Sequence, residues 1–282
     1  MTAIKRILLA TDLEPRSDRA MERAVRLACQ FGADLTALYA IRSGVERGML
    51  DSLPPHHIEA EIRRHLESVA GAKDLSAMVV AAKGPVDAAM SRYAELWKAD
   101  LMVAGRIERV DAPLAVTTVE RISVASRVPL LAVAAKPFGP YASALVAVDF
   151  SRLSRAAVQH ALAMTQTGMV ELMHVHDVPL ACSSDGLSLP PGDFGADFAK
   201  VLEGLETGGR LVSSVVRMGA PVAAILDAAN GGVADLVVMG SAGRSGLGRT
   251  LMGSVAHEVL ERSPCDVLIV RDPPNPAVIG GP

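Results

Sequence analysis

The chain has 282 residues, of which 50% are hydrophobic, 21% charged and 3% aromatic, with a formal net charge of −3. That length suits one large or two ordinary domains and a sizeable core. The charge balance and the scarcity of aromatics exclude a basic, base-stacking surface for nucleic acid and give no attraction to an anionic membrane.

The chain begins MTAIKRILLATD, and Asp12 interrupts it before a long apolar region develops. Neither an export signal nor a membrane span is expected, since no stretch approaches the roughly 18 apolar residues a spanning helix needs. Cys29, Cys182 and Cys265 are scattered and form no CxxC pair, so they do not read as a disulfide framework. Cytoplasmic location is the expectation.

The first strand ends at Asp12 and leads through Ser17 into an amphipathic helix with Ala20, Ala24 and Val25 on one stripe. A polar helical insertion follows at about 44–69, then KGPVDAAM at 83–90, the strand ADLMVAG at 99–105 and SRVPLLAV at 126–133. AKPFGPYA, residues 135–142, holds two prolines and a glycine and marks a boundary. Beyond it the same elements return in the same order. ALVAVDF places Asp149 where Asp12 stood and Ser154 where Ser17 stood, with Ala157, Ala161 and Leu162 repeating the stripe. Apolar runs near 143–149, 169–176, 210–218, 234–239 and 265–271 are predicted strands, with a second helical insertion at about 190–206. The tail from Asp272, rich in Pro and Gly, is expected to be poorly ordered.

The runs are rich in Val, Leu and Ile and show little alternation, which predicts strands buried on both faces of a parallel sheet. The expected fold is therefore α/β: two tandem, doubly wound, five-stranded Rossmann-like domains, at 1–137 and 141–272.

The stretch GSAGRSGLGRTLMGS, residues 240–254, sits between the fourth strand of the second half and a helix, and five of its fifteen residues are glycine. Ligands of open parallel sheets bind at the carboxyl ends of strands where the winding switches. A glycine-rich βα loop presents backbone N–H groups as an anion nest, and the following helix adds its positive end. Ser254 is expected as that helix's N-cap. Val255, Val259 and Leu260 form its buried face, and Ser263-Pro264 ends it. The stretch is neither a P-loop nor the dinucleotide fingerprint. What remains is Gly240-x2-Gly243-x9-Gly253-Ser254.

That G-x2-G-x9-G-[ST] pattern after VVMG, together with AVDFS and ELMHVHDV, resembles the universal stress proteins, and the resemblance covers nearly the whole chain as two copies. It implies the strand order 3-2-1-4-5 and ATP, with Mg or Mn on its phosphates, held between the first and fourth strands. It assigns the triphosphate to Gly240, Gly243, Arg244, Gly253, Ser254 and Val255, next to Met239, and the adenine and ribose to Ala147, Val148, Asp149 and Val175. No side chain is evident as a ligand of the metal.

The first half departs from the pattern. Glu108 stands in place of Gly243, and Thr118 and Val119 in place of Gly253 and Ser254; Glu108 and Asp111 put negative charge where phosphate would lie. One nucleotide per chain is therefore expected, in the second half, with the first half packed on it as an intramolecular pseudo-dimer; a homodimer of chains is left open. Other candidates have plainer readings. Asp149 is as well suited to capping the next turn as to holding a ligand. Arg249 reads as a solvated charge. His174 and His176, beside Asp177 and Cys182, suggest a metal less readily than a hydrogen-bonded strand histidine. His56 and His57, with Glu59 and Glu61, read as solvent-exposed. Two functions remain: a nucleotide-dependent regulatory module of the stress response, or a slow ATPase or autophosphorylating enzyme, with a nucleotide-free interaction scaffold as a third. The absence of an evident catalytic carboxylate, lysine or histidine in the loop favours the module.

Overall fold

A computed structural model describes residues 4–42, 48, 50–106, 117–177, 194–232, 234–242 and 252–271. The first half contains β1 (Arg6–Ala10), α1 (Pro15–Phe31), β2 (Asp34–Ile41), α2 (Pro55–Ser68), β3 (Ala77–Lys83), α3 (Val86–Trp97), β4 (Leu101–Gly105), α4 (Thr118–Ala125) and β5 (Leu130–Val133). The second contains β6 (Ser143–Ala147), α5 (Arg152–Met164), β7 (Met169–His176), α6 (Phe194–Leu202), β8 (Leu211–Met218), α7 (Pro221–Asn230), β9 (Leu236–Gly240), α8 (Ser254–Arg262) and β10 (Asp266–Val270). The predicted strands of the second half all form. The tail from Asp272 lies outside the described residues.

The local reasons are ordinary ones. Proline opens α1, α2 and α7, where its fixed φ and missing N–H cost nothing. Gly32 ends α1 in a left-handed conformation, φ 60°, and its N–H bonds the carbonyls of Ala28 and Cys29. The inner strands are apolar on both faces, and Ile7, Leu8 and Leu9 of β1 are fully buried. That is the burial a parallel sheet covered on both sides requires. The edge strand β8 is largely exposed.

Each half has the order 3-2-1-4-5, but the two sheets are one. The strands run β3-β2-β1-β4-β5-β10-β9-β6-β7-β8. All neighbouring pairs are parallel except β5 and β10, which meet antiparallel with Leu131 opposite Leu268. The two domains thus pair within the chain by covering each other's open edge. One core, with α1, α2, α5 and α6, fills one face of the joint sheet. A second core, with α3, α4, α7 and α8, fills the other. The two helical insertions supply α2 and α6, which bury Ile58, Ile62 and Leu66 and Phe198 and Val201 in the first core.

A buried carboxylate fixes the join. Asp266, fully buried at the start of β10, accepts from the N–H groups of Ala134 and Ala135 at 2.9 and 3.1 Å. It also accepts from the Tyr141 hydroxyl at 2.6 Å and pairs with Arg23 Nε at 3.2 Å. The Arg23 guanidinium lies over the Tyr141 ring, 3.9 Å from its centroid, and donates to the Gly139 carbonyl. Burial, then the charge of Asp266, pushes the Tyr141 hydroxyl well above the usual tyrosine value. The linker, α1 of one domain and β10 of the other are tied at one point.

Candidate functional site

The turn after β6 comes first. Val148 and Asp149 follow the strand's last residue, and Asp149 Oδ1 accepts from the Ser154 hydroxyl at 2.8 Å and from Ser151 N–H at 3.0 Å. The Asp149 N–H donates back to Ser154 Oγ at 3.0 Å. Phe150 between them has φ 62°, a left-handed conformation that costs a non-glycine residue about 1–2 kcal/mol. Its ring is held by His174, Phe194 and Phe198, with centroids 4.5, 6.1 and 5.2 Å away. The Val148 carbonyl can only accept, so His174 Nδ1, 2.9 Å from it, carries the proton.

The second wall is the end of β9. Gly240 closes that strand, and a Cβ there would stand 2.8 Å from Leu153 Cβ on α5. Glycine at 240 therefore has a packing reason independent of any ligand. Ser241 N–H donates to the Val270 carbonyl, and Gly253 N–H donates to the Ser241 carbonyl at 2.8 Å, which closes the base of the glycine-rich loop. Gly253, in extended conformation, is the N-cap of α8 and makes no side-chain cap. Ser254 is therefore the first residue of the helix and not the expected N-cap, because a glycine already supplies the extended residue that a cap needs. Its side chain is left exposed.

Between these walls lies a cavity of about 250 Å³, at the carboxyl ends of β6 and β9. Ala147, Val148, Asp149, Val175, Met239, Gly240, Gly253, Ser254 and Val255 all line it. Gly243 and Arg244 lie outside the described residues, as do Arg249 and Cys182. The cavity also includes Met173, His174, Pro221 and Ile225, which the sequence reading did not assign to it. The repeated MGAPVAAIL segment was the available signal for the last two, since it starts α7 on the same side of the sheet. Among the described residues, no group of three metal-ligating side chains includes His174 or His176. His56 and His57 are exposed.

The first half holds a counterpart of about 490 Å³, lined by Asp12, Ser17, Tyr39, Arg42, Gly105 and Arg121 among others. The Asp–Ser turn is the same: Ser17 Oγ donates to Asp12 Oδ1 at 2.5 Å, and Leu13 has φ 59°. The helix end differs, and it corrects the expected register: Thr117, not Thr118, stands at the N-cap that Gly253 occupies in α8, and Thr118, not Val119, opens the helix as Ser254 does. Thr117 caps α4 by accepting from Glu120 N–H at 3.2 Å, and the Glu120 carboxylate accepts from Thr117 N–H at 2.6 Å. This is a complete capping box. Glu108 and Asp111 lie outside the described residues. On the far wall, buried Asp51 takes the Tyr39 hydroxyl and the Arg42 and Gly48 N–H groups. It also pairs with Arg42 Nε at 3.3 Å. Burial, then the bond to Asp51, pushes Tyr39 up to about 12. Burial alone would raise Asp51, but its donors outweigh that and hold it below the usual carboxylate value.

A doubly wound, mostly parallel sheet with a cavity at the carboxyl ends of its strands defines a class, the Rossmann-like α/β proteins. The model of the universal stress protein family matches twice, over residues 3–133 and 140–271. The chain belongs to the universal stress protein family, in tandem form. It is 33% identical over 153 residues to a universal stress protein of Synechocystis, covering 46% of this chain and 98% of that one. A Bacillus subtilis universal stress protein is 33% identical over 143 residues, 45% of this chain and 97% of that one. A solved universal stress protein from Archaeoglobus fulgidus shares the fold along the whole chain, with a TM-score of 0.71 at 21% identity over 94% of this chain and 98% of that one. No helix among the described residues is long and apolar enough to cross a membrane.

Proposed function

We propose that this universal stress protein is an ATP-binding regulatory module with one nucleotide site per chain, in the second half. The observation that carries the proposal is the contrast between the two equivalent helix ends. α4 closes its first turn with a capping box, so the N–H groups of Thr117 and Glu120 are satisfied from within. α8 opens on Gly253 with no side-chain cap, and its N-terminus faces a cavity. Uncapped N–H groups and the positive end of a helix dipole favour a phosphate.

The residues fit the ligand. A cavity of about 250 Å³ falls just below the ~300–1,000 Å³ typical of ligand sites. It takes a base and a sugar, with the phosphate tail directed over the loop. Ala147, Val148, Asp149, Val175 and Met239 are assigned to the base and ribose. Gly240, Gly243, Arg244, Gly253, Ser254 and Val255 are assigned to the phosphates. A divalent cation, Mg or Mn, neutralises the phosphate charge without a protein ligand assigned to it. Bound nucleotide biases the α8 end of the domain interface, and the stress response in the cytoplasm reads that state.

The test is the nucleotide content of purified protein, by acid release and chromatography, beside a Gly243→Glu variant that copies Glu108. Gly240 is the wrong residue to change, since its substitution also disturbs Leu153. About one adenine nucleotide per chain, lost in the variant, is the expected result. No nucleotide even after adding ATP with Mg or Mn overturns the reading. Phosphate release above background would replace the module with an ATPase.

A further inference from the structure

We infer that α4 and α8 hold a divalent transition metal, of the zinc type, between the two domains. The ligands are Glu120 from the first domain and His257 and Glu261 from the second. One ligand atom of each lies within 4.8 Å of the others. The site stands apart from both cavities and does not depend on the nucleotide reading.

Glu120 is the fixed point. Its side chain is 4% exposed, and one carboxylate oxygen is used by the capping box. The other, Oε1, is buried and has no hydrogen-bond partner of acceptable geometry. It faces His257 Nδ1 in a close ionic contact. A buried carboxylate oxygen without a good donor is costly, at about 1–3 kcal/mol or more. An ion between Oε1 and the imidazole would replace that poorly aligned contact with metal bonds. His257 and Glu261 are one helical turn apart, so they share a face of α8. Glu261 Oε2 lies 3.8 Å from His257 Nε2.

The donor set selects the metal. One imidazole nitrogen and two carboxylate oxygens suit zinc and its neighbours; Mg and Ca prefer oxygen alone, and no thiolate is present for a soft ion. Zinc bonds of about 2.0–2.2 Å place ligand atoms at most roughly 4.4 Å apart. The His257 ring, now in close contact with Glu120 Oε1, swings outward to admit the ion while the partly exposed Glu261 side chain turns toward it, and water completes the sphere on the exposed side. The ion then clamps the two helices whose first turns face the two cavities. Thr118 and Arg121 of α4 line the first, and Ser254 and Val255 of α8 line the second.

The experiment is equilibrium dialysis of the untagged full chain against Zn²⁺, after removal of metal by chelation and of nucleotide by dialysis, with Co²⁺ absorption as the spectroscopic probe. The proposal expects about one ion per chain at micromolar Zn²⁺ and visible Co²⁺ bands of tetrahedral intensity. His257→Ala and Glu261→Gln, both on the surface, weaken binding by roughly tenfold or more. Glu120→Gln does the same while keeping the cap, since glutamine serves in a capping box. Glu258→Gln and a His56→Ala/His57→Ala double variant bind as the parent does. Zn²⁺ raises the thermal midpoint of the parent and not of His257→Ala. Unchanged binding in His257→Ala, or no ion bound by the parent, overturns the site and leaves an ion pair alone.

Discussion

Replacing Asp266 by alanine removes the acceptor for four donors at the domain join. Two are backbone N–H groups, one is the Tyr141 hydroxyl and one is the Arg23 guanidinium. Arg23 is 5% exposed, so it keeps a buried charge without a counter-ion. Breaking a buried pair from one side costs about 3–5 kcal/mol. Each neutral donor stranded in the interior adds about 1–3 kcal/mol where water cannot reach it. Partial relaxation of the linker offsets some of this, so the working figure is ~4–6 kcal/mol. For a chain of this size that lowers the melting midpoint by roughly 8–20 °C. Calorimetry on Asp266→Ala measures it. Arg23→Met is the milder partner, because Asp266 retains three donors. The double variant should cost less than the two single losses added, with a coupling of about 1–3 kcal/mol. A loss below about 1 kcal/mol in Asp266→Ala would refute the claim that this carboxylate holds the join.

Gly168→Ala places a Cβ 2.0 Å from the Ala142 carbonyl oxygen, which itself accepts from Met169 N–H, so about 1–3 kcal/mol is lost by chemical denaturation. An unchanged midpoint would mean that the backbone yields freely there. Tyr39 has a folded pKa of about 12 against 10 unfolded, so its contribution is intact below pH 10 and lost as pH rises toward 12. That loss is up to about 2.7 kcal/mol, and Tyr39→Phe flattens this part of the alkaline limb while Tyr141 keeps its own share. His160, buried in α5, is pushed down by desolvation, with a bond to the Ala156 carbonyl opposing. Stability is full above its unfolded value of 6.5 and falls as pH drops below it; His160→Met removes that slope in a pH series of melting curves.

The fold was readable because the chain says everything twice. A strand ending in Asp with a Ser five residues later, a glycine after an apolar run and a final Pro-led strand recur in order, and each has a local physical cause. The union of the two sheets was not readable. β5 and β10 are short and uniformly apolar, and such a run does not distinguish an edge that faces solvent from one that pairs with a sibling. Asp266 lies inside the predicted strand run, and nothing in its neighbours marks it as the buried acceptor of the join. Thr117-x-x-Glu120 is a capping-box signature legible in the sequence, ahead of the apolar face of α4. Serine ordinarily caps, so Ser254 was expected at the N-cap; the glycine before it took that role. Glu120 and His257 have no spacing that announces them. Only the antiparallel join brings their helices together.

The Asp–Ser turn with its left-handed neighbour occurs in both halves, at Asp12-Leu13 and Asp149-Phe150, so it is part of the fold and does not by itself separate a binding half from a silent one. The difference lies at the next helix end. In the first half Glu120 closes a capping box on the α4 N-terminus, outside the lining of the first cavity, and the same carboxylate turns its second oxygen toward His257 of α8. In the second half the N-cap of α8 is Gly253, which has no side chain to cap with. One residue thus supplies the first half's internal anion and its contact with the other domain. A half that satisfies its own helix end loses a reason to bind phosphate and gains a fixed carboxylate for the interface.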